Sequence, residues 1–107
     1  MANTYTNAKV DLTTTSVTTL YTCATSTTGI VKSILVSEDS GNADTITVTL
    51  TTAASAVFSL FKTKSVGANA TVELLSAPLV VQAGEILKVT AATADRLHVV
   101  ASILEIT

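Results

Sequence analysis

Few residues of this 107-residue chain carry chemistry. The only histidine, His98, stands in the terminal stretch "ADRLHVVASILEIT" (94–107), with Asp95 and Ser102 near it. A base, an acid and a hydroxyl can build a nucleophilic site if they lie within hydrogen-bond reach of one another. In an extended strand, positions 98 and 102 share a face but stand about 13 Å apart. A local Ser/His/Asp group fails on that distance, and no other motif supplies the missing partner. The expectation is a packed or surface histidine and no catalytic residue.

The loop "EDSGNAD" (38–44) offers Glu38, Asp39, Asn42 and Asp44, oxygen donors of the kind calcium takes. Their spacing does not match an EF-hand loop, and any polar turn uses the same residues. A bound cation and a plain solvated loop both stay open. Cys23 has no His or Lys near it in sequence to lower its pKa, so it reads as an inert, buried or partly buried thiol. As the lone cysteine it excludes an internal disulfide. Asn69-Ala70-Thr71 matches a glycosylation sequon, and equally an asparagine in a turn. The four glycines are scattered, so no phosphate-cradling loop exists. No cofactor and no metal centre are expected.

Composition narrows the function further. The chain is 48% hydrophobic and only 13% charged, where a soluble domain is usually about 25% charged. Such a surface is either neutral and polar or covered in an assembly. Threonine, about one residue in five, supplies the neutral polarity and, being β-branched, favours strands. Net charge is −2 and no Lys/Arg run is present, which argues against nucleic-acid binding, where phosphate neutralisation supplies most of the affinity. Trp is absent, which weakens the case for a sugar-stacking platform. "MANTYTNAK" has neither a basic nor an apolar leader region, and no apolar run approaches a membrane span. The expectation is a soluble protein made in the cytoplasm, without a membrane partner.

The elements that must position these residues are strands. Residues 1–16 read as an extended N-terminal arm, with a short strand near Val10 to Leu12. A sandwich domain is expected over 17–107. Its strand-length segments are "VTTLYTC" (17–23), "IVKSILVS" (30–37), "TITVTLTT" (45–52), "AVFSLFK" (56–62), "ATVELL" (70–75), "ILKVTAA" (86–92) and the terminal stretch. Pro78 confines "PLVV" (78–81) to an edge. "TITVTLTT" alternates, with Ile46, Val48 and Leu50 inward and threonines outward. About eight short strands at roughly ten-residue spacing predict an all-β protein: an antiparallel, jelly-roll-like β-sandwich.

Two segments, "IVKSILVS" (30–37) and the terminal stretch, are apolar on both faces. In the terminal strand Leu97, Val99, Ala101 and Ile103 point one way, and Val100, Leu104 and Ile106 the other. A short chain with no helix layer has only another subunit to cover the second face. Val100, Leu104 and Ile106, with Phe61 and with Tyr5 in the arm, are therefore the expected interface residues, while Phe58 is expected in the core.

The order "MANTYTNAKVDLTTTSVTTLYT", "TTGIVKSILVSED", "TITVTL", "NATVELLSAPLVVQAGEILKV", "ADRLHVVASILEIT" resembles a family of small tailed-bacteriophage virion proteins over nearly the whole chain. In "YTCATSTTG", Cys23 and Ala24 stand where such proteins often carry a "VPAG"-like turn. The resemblance implies an oligomeric β-sandwich structural protein of the virion with no active-site residues. The expected function is capsid decoration or cement, as a homotrimer bound to other virion proteins. The alternatives are a neck, tail or fibre connector and, from a different class, a receptor- or glycan-binding module.

Overall fold

A computed structural model describes residues 2–107. The described residues form nine strands: β1 (Asn3–Leu12), β2 (Thr18–Thr22), β3 (Thr28–Glu38), β4 (Asp44–Thr51), β5 (Val57–Val66), β6 (Thr71–Glu73), β7 (Leu79–Val81), β8 (Ile86–Ala91) and β9 (Leu97–Ile106). All pairings are antiparallel and build two sheets. The first runs β1-β9-β3-β6, with β7 also on β3; the second runs β2-β8-β4-β5. β6 and β7 pair with opposite ends of β3, so they are two pieces of one edge strand interrupted around Pro78. Counted so, the molecule is an eight-stranded jelly roll, in which each sheet interleaves strands from both halves of the chain.

Alternation fills the space between the sheets. Leu97, Val99, Ala101 and Ile103 of β9 face Ile46 and Val48 of β4 and Leu87 and Val89 of β8, all of them buried. Burying each Val, Leu or Ile side chain is worth roughly 1.5–3 kcal/mol, and this set is the main stabilising term.

Bulges adjust the alternation where the sequence does not keep it. In β3 the register on β9 shifts between Val31 and Ser33, with Lys32 as the extra residue. Val31 and Ile34 thereby both point inward, followed by Val36, while Ile30, Ser33 and Leu35 point out. Ile34 N–H, displaced at the bulge, donates to the Glu73 carboxylate at 2.8 Å, and Ser33 Oγ donates to the same group. In β2 a shift between Thr19 and Tyr21 lets the consecutive Leu20 and Tyr21 both be buried.

Three expectations change. Of the segment 1–16 expected as an arm, Asn3–Leu12 is an edge strand, paired with β9 along its whole length, and Leu12 lies in the core. Its alternation is hard to see because the inward residues are Thr4, Thr6, Ala8 and Val10, small or polar apart from the last. The segment 63–66, which falls in the gap between the expected strands 56–62 and 70–75, continues β5 and carries the buried Val66. The roles of the two phenylalanines are exchanged. Register shifts in the β4–β5 pairing put Phe58 opposite Leu50 and Phe61 opposite Val48. Phe61 then packs against the core, and Phe58 is left 56% exposed at the end of the sheet.

Candidate functional site

The outer face of the first sheet is the feature that the fold leaves unfinished. In an antiparallel ladder, residues directly opposite one another share a face. Tyr5 stands opposite Leu104, Leu104 opposite Ile30, and Ile30 opposite Val80. This is an unbroken apolar row across four strands. Tyr5 is 74% exposed and Val80 50%. Ile106 lies next to this row, between Asn3 and Thr28. Beyond a polar row of Asn7, Ser102 and Ser33 comes a second row with Lys9, Val100, Leu35 and Glu73 in order. Val100 and Leu35 are 37% and 41% exposed. Four of the seven exposed large hydrophobic side chains among the described residues are on this one face.

The bulge at Lys32 makes the face. Without it, Ile30 and Leu35 would fall on opposite sides of β3, since they are five apart. Lys32 itself lies in a shallow groove with Tyr5, Asn7 and Ser102. Tyr5 is brought together here with Val100, Leu104 and Ile106, the expected interface residues of the terminal strand. Phe61 is not. It lines a different groove, with Leu60, Leu75 and Pro78, where β5 faces the β6–β7 connection. Sequence reasoning missed Ile30, Leu35 and Val80 as members of the face.

The residues with chemistry are spent on structure. His98 has a carboxylate at each ring nitrogen: Asp11 Oδ1 lies 3.2 Å from Nε2, and Asp39 Oδ2 lies 3.4 Å from Nδ1. The imidazole therefore clamps β1 to the loop after β3. Neither nitrogen is presented to a nucleophile, and Ser102 stands elsewhere on the sheet, opposite Asn7. The clamp is exposed, so its contribution to stability is of the order of 0–1 kcal/mol.

The carboxylates of the 38–44 loop point to three different places. Glu38 is buried and accepts hydrogen bonds from Ser40 N–H and Oγ, Gly41 N–H at 3.0 Å and Asn69 N–H at 3.1 Å. Burial alone would raise its pKa. The donors outweigh this and hold the carboxyl at about 2, well below its ordinary 4.5. Asp39 faces His98, and Asp44 Oδ2 accepts from Thr93 N–H at 3.1 Å. Among the described residues no group of three or more His, Cys, Asp or Glu is placed to hold a metal ion. Cys23 is buried, with Sγ 3.3 Å from Thr27 O. Asn69 of the sequon sits in a turn at φ 54°.

No protein-family model matches the chain, and a search of curated proteins finds no match.

Proposed function

We propose that this protein is a non-enzymatic structural subunit of a tailed-phage particle, a capsid decoration or cement protein that associates with itself. The observation that carries the reading is the row Tyr5–Leu104–Ile30–Val80, an apolar band with exposed ends and a half-buried middle, on a chain otherwise short of charge. Large apolar patches on small soluble domains mark interaction surfaces. The setting is consistent with the reading. His98 is occupied on both sides, and the loop acids serve as internal acceptors. The phage context rests on the segments "TTGIVKSILVSED", "AGEILKV" and the apolar terminal strand.

Quantitative protein analysis of purified particles tests it. A decoration protein is expected at tens to hundreds of copies, and a connector at small multiples of the local symmetry, about three to six. Absence of the chain from purified particles contradicts the reading.

A further inference from the structure

We infer that a second copy of this chain seats face to face on the outer surface of the first sheet, related by a two-fold axis that runs between β9 and β3 nearly parallel to them. The inference rests on the self-associating structural subunit proposed above and names the surface and symmetry of that association.

The order of residues along the rows carries it. The second row reads cation, apolar, apolar, anion from β1 to β6: Lys9, Val100, Leu35, Glu73. A two-fold axis along the strands exchanges the left and right halves of each row and keeps the rows in register. Lys9 then faces Glu73 of the partner subunit, and Val100 faces the partner's Leu35, with the reciprocal pairs on the other side. In the first row Tyr5 faces the partner's Val80 and Leu104 faces the partner's Ile30. Every residue of the two rows meets a compatible one. An isologous interface requires this self-complementarity, whereas a partner of unrelated sequence has no use for it.

Two further observations agree. Among the described residues no carboxylate pairs with Lys9, whose ammonium contacts only Asn7 Oδ1, at 3.2 Å. Glu73 is exposed, and its hydrogen bonds from Ser33, Ile34 and Leu75 favour the charged form. The patch also has the required size. Four strands at about 4.8 Å and four rows at about 6.8 Å cover roughly 500 Å² per subunit. The total of about 1,000 Å² is near the lower limit for a specific interface, where reversible pairs are found. Facing sheets pack aligned to within about 30°, which this axis allows.

One feature opposes the pairing. Lys32 projects onto the polar row close to the proposed axis, so two like charges approach each other there. Its alkyl stem can lie along the groove while the ammonium reaches water. Lys32→Gln is therefore expected to tighten the dimer.

The test is sedimentation equilibrium on the full chain, with native mass spectrometry on mixtures. Wild type is expected to dimerise reversibly. Lys9→Glu, at an exposed position that leaves the core untouched, is expected to weaken dimerisation at least tenfold, and Lys32→Gln to strengthen it. Lys9→Glu mixed with Glu73→Lys is expected to form the mixed dimer in preference to either homodimer. Because Glu73 also caps the bulge, Lys9→Glu alone decides the matter if Glu73→Lys does not fold. A wild type that stays monomeric at concentrations on the order of 1 mM, a trimer, or a dimer unaffected by Lys9→Glu overturns the inference. Full incorporation of wild type into particles alongside any of these results removes the face-to-face pair and leaves the structural role standing. A dimer in solution that is absent from particles does the reverse.

Discussion

The hydroxyl of Tyr21, on the second sheet, donates a 2.6 Å hydrogen bond to Glu105, near the end of β9 on the first. The pair ties the two sheets together where the apolar core ends. It also fixes the residue beneath it: a Cβ on Gly29 would lie 2.7 Å from Tyr21 Oη and 3.0 Å from the ring. Gly29 is thus required by close approach of the ring and not by its backbone angles.

Gly29→Ala is expected to displace the ring, break the bond to Glu105 and cost roughly 1–3 kcal/mol, as overpacking of a filled site does. Urea unfolding monitored by circular dichroism reads the loss. An unchanged midpoint contradicts the placement of Tyr21.

Burial first, and then the bond to Glu105, raise the pKa of Tyr21 above its ordinary 10. The unfolded chain therefore ionises this phenol before the folded one does. The associated stability is complete below about pH 10 and is lost as pH rises beyond it. Thermal unfolding from pH 8 to 12 is expected to show a fall beginning near pH 10, and Tyr21→Phe is expected to flatten that fall while lowering stability at pH 8 by about 1 kcal/mol.

At the other end of the molecule the shift has the opposite sign. The Glu38 carboxyl sits at about 2 when folded against 4.5 ordinarily, so the folded state binds fewer protons through the intervening range. Its contribution is present above about pH 4.5 and disappears as pH falls towards 2. Glu38→Gln is expected to shrink the loss of stability between pH 5 and 2, and to lower the melting temperature at pH 7 by freeing the 38–44 loop from Asn69. An acid limb identical to wild type contradicts this role.

Truncation separates an edge strand from a free arm. Removing residues 2–12 deletes Leu12 from the core and exposes the edge of β9. A cost of at least 2–5 kcal/mol is expected, the range for losing one large core side chain. Removing residues 2–7 takes away only exposed side chains and is expected to cost much less. Equal stability of wild type and the longer truncation contradicts the pairing of β1.

The fold class was legible because most strands keep period two and are separated by Asp/Gly/Asn-rich or Pro-containing turns. "TITVTLTT" is the clearest up to Thr49, with Ile46 and Val48 buried and Thr45, Thr47 and Thr49 more exposed; beyond the register shift on β5, Leu50 is only half-buried and Thr51, expected outward, is buried. β1 was not legible, because a strand whose inward positions hold Thr4, Thr6 and Ala8 carries almost no hydrophobic signal. The exchange of Phe58 and Phe61 was invisible for another reason: bulges change the phase of a strand, and their positions depend on the partner strand. The same effect hid Ile30 and Leu35. Three of the seven apolar residues of the candidate face, Val100, Leu104 and Ile106, were readable from β9 alone, and Tyr5 from the N-terminal segment; Ile30, Leu35 and Val80 needed the register of β3 and β7. The sites of His98 and Glu38 were not foreseeable, since Asp11, Asp39 and Asn69 come from distant parts of the chain.

The proposed association runs through the outer face of the first sheet. Sedimentation velocity across a concentration series, comparing wild type with Leu104→Asp, tests it most directly, because Leu104 is the central member of the row between Tyr5 and Ile30. Wild type is expected to form a concentration-dependent oligomer, and the variant to be a folded monomer with an unchanged circular dichroism spectrum. A variant that folds and associates as tightly as wild type contradicts it.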